Sequence, residues 1–186
     1  MSSETILIIA LVVQGLAIVA GFLMLLWLFF LALPGFLWGA PYIASRPEWV
    51  ADIVAVAGPR PGQLAIDLGS GDGRLLLAMA ERGCRGIGYE VNLFLVWLTR
   101  WRAWRQGAPV MVHWRDFDKA ELGEADLVLL YGVDRAMTRL TRKLRREMKP
   151  GAAIVSLRYP IPDWPVDQRH GAAFLYRISR VESAED

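Results

Sequence analysis

Hydrophobic residues form one long, almost unbroken stretch at the start of the chain. Residues 5–45 contain no Asp, Glu, Lys or Arg, and within residues 5–33 the only polar side chains are Thr5 and Gln14. A helix needs about 20 apolar residues to cross the hydrocarbon core of a bilayer, and Leu, Ile, Phe and Val each favour insertion. The pattern therefore predicts one membrane-spanning helix over residues 5–33, ended by Pro34 and Gly35.

A cleaved signal peptide is the alternative explanation of this segment. Such peptides have a basic leading region and an apolar core of about 7 to 15 residues. Here the leading region has Glu4 and no basic residue, and the apolar run is much longer, so an uncleaved anchor is favoured. Basic residues flank only the C-terminal side, at Arg46 and Arg60, which predicts a single-pass membrane protein with its remainder on the cytoplasmic side. Interfacial aromatic residues are expected at Phe36, Trp38 and Tyr42.

Beyond residue 45, short apolar runs alternate with segments of helical periodicity. Strands are predicted at residues 64–68, 85–91, 109–113, 126–131, 152–157 and 173–181, and helices at 48–57, 74–82, 92–106 and 134–148. This alternation is typical of an α/β fold, a Rossmann-like doubly wound sandwich, in which ligands bind at the carboxyl ends of the strands. Residues 1–45 are expected to form the anchor and interfacial segment, and residues 46–186 a single domain with one strand after Trp164.

The first predicted strand leads into a glycine-rich turn and then a helix. Gly69, Gly71 and Gly73 have the spacing G-x-G-x-G, one residue shorter than the dinucleotide-binding pattern, with Asp67 before the turn and Asp72 inside it. Two carboxylates would repel a pyrophosphate, whereas S-adenosylmethionine has a sulfonium, an ammonium and no phosphate. The turn therefore predicts an S-adenosylmethionine site, with a purely structural glycine turn as the alternative.

Other candidate site residues follow the remaining strands. Glu90 ends the second strand, about twenty residues past the glycine turn, where an acid can accept hydrogen bonds from both ribose hydroxyls. Asp116 is expected to bind the adenine amino group, Phe117 to cover the ring, and Tyr131 with Gly132 to line the site of methyl transfer. Residues 158–164 would form the substrate wall. For each of these, a helix cap or a core aromatic residue is the alternative.

Four motifs together resemble a known family. They are Asp-Leu-Gly-Ser-Gly-Asp-Gly-Arg at 67–74, Gly-Tyr-Glu-x-Asn at 88–92, Tyr-Gly-Val at 131–133 and Arg-Tyr-Pro-Ile-Pro-Asp-Trp at 158–164. The chain is similar to the small membrane-tethered protein-lysine methyltransferases, whose mitochondrial members modify the ATP synthase c-subunit and the adenine nucleotide translocase. The resemblance implies a methyltransferase sandwich that binds S-adenosylmethionine through the three glycines, Asp67, Glu90 and Asp116. Asp72 and Asn92 are counted with these residues, and Tyr42 belongs to an element expected to fold over the cofactor.

A lysine acceptor must lose its proton before it can attack a methyl group. Neutralising an amine of pKa near 10.4 at pH 7 costs about 4.6 kcal/mol, and an apolar aromatic channel lowers that cost by desolvating the ammonium. Tyr131, Tyr159 and Trp164 are the candidates for this channel. The predicted function is therefore methylation of a lysine-bearing membrane protein, with a small-molecule or lipid methyltransferase and a non-catalytic cofactor-binding module as alternatives.

Composition limits which disulfides, metal sites and binding partners the chain can have. The chain is 54% hydrophobic with a net charge of +2, and its single cysteine, Cys84, excludes an internal disulfide and a cysteine-rich metal site, so no metal is predicted. The basic helix within residues 134–149 could bind nucleic acid, but beside a membrane anchor it more readily lies against anionic headgroups or is simply solvated. We therefore expect the bilayer as a partner and no nucleic acid.

Overall fold

The computed structural model describes residues 2–29, 44–131 and 137–179, and it comprises two compact units, Met1–Tyr42 and Ile43–Asp186. In the first unit, helix α1 (Ser3–Trp27) has no buried side chain, and the hydroxyl of Ser2 accepts a hydrogen bond from the Thr5 amide at its start. Among the described residues, α1 is long and apolar enough to cross a membrane. The predicted end of this helix and the interfacial Phe36, Trp38 and Tyr42 lie outside the described residues.

The second unit follows the predicted alternation of strands and helices. The helices are α2 (Pro47–Ala57), α3 (Arg74–Ala80), α4 (Leu93–Gln106) and α5 (Met137–Glu147), and a short 3-10 helix spans Phe117–Lys119. The strands are β1 (Leu64–Leu68), β2 (Arg85–Glu90), β3 (Val110–Trp114), β4 (Leu127–Tyr131), β5 (Ala153–Leu157), β6 (Gln168–His170) and β7 (Ala173–Arg177). Each predicted element is present with small differences at its ends, except that the last strand already ends at Arg177. Residues 134–136 of the predicted basic helix and 180–181 of the predicted last strand lie outside the described residues.

The strands form one sheet in the order β3-β2-β1-β4-β5-β7-β6, in which β7 is antiparallel to both of its neighbours. The first five strands are parallel, so their carboxyl ends meet at one edge, as expected for a doubly wound sandwich. The expectation of one strand after Trp164 is wrong, because β6 precedes β7. Strand β6 has three exposed residues and no apolar pattern of its own, and it forms by pairing with β7.

Alternate residues of the central strands face opposite sides of the sheet, as the pleat requires. On one side, Leu129 and Val155 belong to a buried cluster with residues of α2 and α3. On the other side, Val128 and Ile154 belong to a second cluster that α5 covers. Helix α4 packs against β2 and β3, next to the glycine turn. These two cores hold the carboxyl edge of the sheet in place, and Asp67, Glu90, Asp116 and Tyr131 lie near the ends of its strands.

Candidate functional site

The glycine turn is shaped by three left-handed backbone conformations, with φ of +99° at Gly69, +54° at Gly71 and +78° at Gly73. A Cβ placed on Gly69 would meet nothing within 4 Å, so the space beside this residue is open. A Cβ on Gly73 would lie 2.2 Å from Cγ2 of Thr99 on α4. The first glycine therefore leaves room for a ligand, and the third lets α4 approach the turn.

Glu90 links the glycine turn to the start of α4. Its Oε2 accepts a hydrogen bond from the Gly71 amide at 2.9 Å, and its Oε1 accepts one from the Asn92 amide at 2.8 Å. The carboxylate is buried, and each of its oxygens has a further lone pair with which to accept a ribose hydroxyl. Asn92 in turn caps α4, because its Oδ1 accepts from the amides of Phe94 and Leu95.

Asp67 is a buried carboxyl group, one oxygen of which lacks a hydrogen-bond partner among the described residues. That oxygen is Oδ2, and only 2% of the residue is exposed, so water does not readily replace the missing partner. Burial, together with the carboxylates of Glu90 and Asp72, raises the pKa of Asp67 to about 8. The group is therefore protonated at neutral pH. A buried carboxyl beside the open space at Gly69 is suited to pair with a cationic ligand that enters there.

Asp72 has a different environment, because two arginines engage its carboxylate. Arg74 donates to Oδ1 at 2.9 Å and to Oδ2 at 2.7 Å, and Arg102 of α4 donates to Oδ2 at 2.6 Å. Burial opposes ionisation of Asp72, but these hydrogen bonds lower its pKa to about 2. Arg74 also donates to the carbonyl of Ser45. Asp72 is thus linked to α4 through Arg102 and to the segment that enters the domain through Arg74. Its contact with a cofactor stays a prediction.

Asp116 and Phe117 follow β3 at the same edge of the sheet. Asp116 caps the 3-10 helix, because its Oδ1 accepts from the Asp118 amide at 2.9 Å. The residue lies close to the Glu90 backbone, since the Arg115 amide donates to the Glu90 carbonyl at 3.1 Å. Phe117 is half-buried against the α5 side of the core. Both residues are near the predicted cofactor site, and their contacts with adenine stay predictions.

Tyr131 is the last residue of β4 and Tyr159 lies two residues past β5, and both are beside a tryptophan of α2. Tyr131 is half-buried, and its ring meets the Trp49 ring edge-on with centroids 6.0 Å apart. The Arg158 guanidinium lies 5.1 Å from the centre of the Trp49 ring and 6.0 Å from that of Tyr159, which is 45% exposed. These four side chains form an aromatic cluster with a cation at its centre. The adjoining Gly132 lies outside the described residues.

Trp164 is placed apart from that cluster. Its ring packs against Tyr176 with centroids 6.2 Å apart, and the Arg145 guanidinium lies 4.6 Å from its centre. It contacts the α5 side of the core, whereas Tyr131 contacts the α2–α3 side. The structure therefore does not bring Trp164 and Tyr131 together, and the channel that we predicted from all three aromatic residues stays a prediction.

Several residues that shape the site were not anticipated from the sequence. Thr99 donates a hydrogen bond from Oγ1 to the Gly71 carbonyl at 3.1 Å. A Cβ on Gly88 would lie 2.6 Å from Oγ of Ser70, so β2 needs glycine where the turn crosses it. A glycine inside a predicted strand is a recognisable signal of close backbone approach, but Thr99 and Trp49 carry no local signal. Tyr42, expected over the cofactor, lies outside the described residues.

No group of three or more His, Cys, Asp or Glu side chains within residues 2–29, 44–131 and 137–179 is arranged to hold a metal ion. Cys84 is fully buried, its Sγ lies 3.4 Å from the Arg60 carbonyl, and burial raises the pKa of its thiol. The cysteine therefore packs as a small apolar side chain.

Comparison with known sequences supports the family resemblance. The profile of the ANTKMT methyltransferase domain matches residues 67–168. The human lysine N-methyltransferase of the ATP synthase c-subunit is 35% identical over 133 residues, which cover 70% of this chain and 57% of the relative. The adenine nucleotide translocase lysine N-methyltransferase of Mus musculus is 39% identical over 127 residues, covering 67% of this chain and 55% of the relative. The chain thus spans little more than half the length of these relatives.

Comparison with solved structures supports the fold. An RNA methyltransferase from Salinibacter ruber, solved in complex with S-adenosyl-L-homocysteine, superposes with a TM-score of 0.71 and is 25% identical. The match covers 77% of this chain and 98% of that protein, which confirms the predicted methyltransferase sandwich. Because the family profile covers more than half of the sequence and includes the glycine turn, Glu90 and the substrate-wall segment, the chain belongs to the ANTKMT methyltransferase family.

Proposed function

We propose that this protein is a membrane-anchored, S-adenosylmethionine-dependent protein-lysine N-methyltransferase that acts on a membrane protein. The observation that carries the proposal is the buried carboxyl of Asp67, whose Oδ2 has no partner among the described residues, beside Glu90 and the open space at Gly69. A lysine acceptor is supported by the relatives, which are named for methylation of the ATP synthase c-subunit and the adenine nucleotide translocase. Residues 1–45 would be the anchor, and residues 46–186 the catalytic domain on the cytoplasmic side.

The described residues fit S-adenosylmethionine, which supplies a methyl group already attached to its sulfonium leaving group. Ionised Asp67 would pair with the ligand ammonium, and the second lone pairs of the Glu90 oxygens would accept the ribose hydroxyls. Asp116, which follows the neighbouring strand, would accept from the adenine amino group. Alignment is the main task of such a site, because a displacement of this kind needs the nucleophile in line with the breaking bond.

The acceptor would approach from the side of Tyr131 and Tyr159. Aromatic rings there would exclude water from the incoming lysine, which favours its neutral form. The Arg158 guanidinium, 5.1 Å from the Trp49 ring, would add a positive charge that disfavours the protonated amine further. Trp164, on the other side of the sheet, would belong to the outer part of the substrate wall. The protein would thus prepare the amine for attack by desolvation and by charge.

Cofactor binding should release a proton from Asp67. The carboxyl is protonated in the free protein because its pKa is about 8, and a ligand ammonium would favour its ionised form. Relative to the Asp67→Asn variant, in which only the ligand's own amine titrates, apparent affinity should therefore rise as the pH increases from 6 to 8, by up to about tenfold per unit, and then level off. Calorimetry at pH 7 in buffers of different ionisation enthalpy measures the proton release. The isosteric Asp67→Asn variant supplies the baseline from the ligand's own amine, and equal proton release by both proteins would contradict the assignment.

The same carboxyl affects the stability of the ligand-free domain. Its pKa in the folded state is raised from 3.8 to about 8, so the folded protein holds this proton over a range in which the unfolded chain has lost it. The resulting stabilisation is fully present below about pH 4 and is lost as the pH rises through 8. A bound cationic ligand should reduce that loss.

The acceptor class can be tested with S-adenosylmethionine that carries a tritiated methyl group. Membranes from cells that lack the protein are incubated with purified full-length chain, and we expect label in a protein band that yields methyl-lysine on hydrolysis. The Asp67→Asn variant is the control for cofactor-dependent transfer. Label in the lipid phase or in a soluble small molecule would instead support the corresponding alternative methyltransferase. Cofactor binding without any transfer would support the non-catalytic module.

A further inference from the structure

Helix α4 carries a row of exposed aromatic side chains along one face. Phe94, Trp97, Trp101 and Trp104, here called the aromatic face, are 39%, 58%, 40% and 78% exposed. Their spacing of three and four residues places them within a sector of roughly 100° at 3.6 residues per turn. The rings also contact one another, with centroids 6.2 Å apart for Phe94 and Trp97 and 6.4 Å apart for Trp97 and Trp101.

Further apolar side chains are exposed next to the aromatic face. Leu93, at the start of α4, and Trp114, at the end of β3, are 53% and 60% exposed. The Trp114 indole N–H donates to the Val91 carbonyl at 2.8 Å, so one edge of the ring is held while the rest faces outward. A contiguous apolar surface of this kind is uncommon on a soluble monomer and marks a site of interaction.

The charged residues along α4 are all positive. Residues 93–115 contain four tryptophans, four arginines and no Asp or Glu. Arg105 packs its guanidinium 5.1 Å from the centre of the Trp101 ring. Arg100 donates to the carbonyl of Val112 and keeps its charge, whereas the charge of Arg102 is paired with the Asp72 carboxylate at 2.6 Å. Exposed tryptophans flanked by arginines match the interfacial zone of a bilayer that contains anionic lipids.

We propose that the aromatic face docks on the surface of an anionic bilayer, so that the domain lies against the membrane in which its own helix is anchored. This inference rests on the proposed anchor, and it adds a second contact that holds the domain in one orientation. The connection from Trp27 to Pro47 is 19 residues, which limits the domain to on the order of 60 Å from the end of α1. A surface kept so near a bilayer reaches lipid more readily than a soluble partner.

The basic helix α5 is a weaker candidate for the same contact. Arg139 is paired with Asp118 at 2.5 Å, and Lys143 with Glu147 at 2.8 Å. Arg145 lies over the Trp164 ring. Much of the positive charge of α5 is therefore engaged within the protein, and the described part of that helix exposes no large apolar side chain. The bilayer contact predicted for residues 134–149 stays a prediction.

Docking through α4 would also bring the predicted cofactor site close to the bilayer surface. The helix begins at its cap Asn92, whose amide donates to Glu90, so one end of the aromatic face adjoins the predicted cofactor site. Membrane contact along α4 would therefore bring the carboxyl edge of the sheet to the bilayer surface. An acceptor lysine near the headgroups would then be within reach of the site.

Site-directed spin labelling of the full chain in proteoliposomes tests this contact. Cys84 is first replaced by alanine, and one label is placed at Trp104→Cys on the aromatic face. A matched label at Gln168→Cys lies on β6, at the opposite end of the sheet from β3, and is also exposed. Power saturation compares collisions of each label with oxygen and with a polar nickel complex, in vesicles of phosphatidylcholine with and without phosphatidylglycerol. Retained S-adenosylmethionine binding verifies that each variant is folded.

In anionic vesicles, the Trp104→Cys label should have a several-fold higher ratio of oxygen to nickel collisions than the Gln168→Cys label. Adding Trp97→Ser and Trp101→Ser should lower that ratio towards the control value. A label at residue 104 that stays as accessible to nickel as the control would overturn the proposal. Protection that depends on protein concentration in detergent would overturn it in favour of a second copy, and protection only after adding an acceptor protein would overturn it in favour of that protein. Failure of the chain to float with vesicles would instead refute the anchor itself.

Discussion

Replacing Glu90 with alanine should weaken S-adenosylmethionine binding by at least about 100-fold, because the two hydrogen bonds that ribose hydroxyls would donate to this buried carboxylate contribute about 1.5–3 kcal/mol each. The carboxylate holds the Gly71 amide at 2.9 Å and the Asn92 amide at 2.8 Å, so its removal loosens the turn as well as removing the ribose acceptor. Calorimetric titration of the full chain in detergent measures the loss of affinity for S-adenosylmethionine and for S-adenosylhomocysteine.

Two controls separate recognition from folding in this experiment. Glu81→Ala removes an exposed acid from the turn after α3 and should leave binding unchanged. Thermal unfolding of both variants without ligand shows how much of the effect comes from the two backbone amides left unpaired in Glu90→Ala. Binding by Glu90→Ala within a fewfold of the unmodified protein would contradict the role assigned to Glu90. Tight binding of NAD by the unmodified chain would contradict the cofactor assignment.

Removal of residues 1–38 should leave cofactor binding intact and slow methylation of a membrane acceptor by on the order of 100-fold at equal protein concentration. An anchor confines the domain to a thin layer beside the bilayer, which raises the effective concentration of an acceptor in the same membrane without any new contact. Ser45, which accepts from Arg74, is retained in the shortened chain, so the link between the entering segment and the glycine turn is preserved. Initial rates of methyl transfer into acceptor-containing proteoliposomes measure the effect.

Fusion of an unrelated spanning helix in the same orientation provides the matched control for this truncation. Recovery of most of the rate would show that tethering is the function of the apolar segment. If the unrelated helix restores membrane attachment but not the rate, the native helix must itself contact the acceptor. If the shortened chain modifies the acceptor as fast as the intact protein, tethering is not the reason for the segment.

The parts of the site that could be predicted from the sequence are those encoded by neighbouring residues. The turn from β1 to α3 needs three positive φ angles, which only glycine adopts readily, and Gly69, Gly71 and Gly73 stand at those positions. Glu90 could be placed because a parallel strand starting near Arg85 must end at the same edge as β1. The apolar helix at the start of the chain is likewise a property of composition and length.

Contacts between residues far apart in the chain were decided by the packing of the elements. From the sequence, Asp67 and Asp72 are two similar acids, but α4 brings Arg102 to Asp72 from 30 residues away, while Oδ2 of Asp67 has no partner among the described residues. Arg74 and Arg102 together hold Asp72 ionised, whereas burial raises the pKa of Asp67 and keeps it protonated. The burial of Asp67 and the contact of α4 with the turn both depend on how the elements pack, and no periodicity in the sequence contains that information.

The aromatic residues illustrate the same limit. Strand periodicity correctly put Tyr131 at the carboxyl end of β4, and the loop after β5 contains Tyr159 and Trp164. Strand periodicity does not indicate on which side of the sheet that loop packs, and it does not predict the contact between Trp49 of α2 and Tyr131. The sequence by itself therefore determined the order of the elements, the membrane-length helix and the glycine turn with Glu90, because each depends on local spacing. Only the tertiary structure decided the charge states of the two aspartates and the exposure of one face of α4. It also decided how the aromatic residues are divided between the two sides of the sheet. All three depend on which distant side chains come into contact.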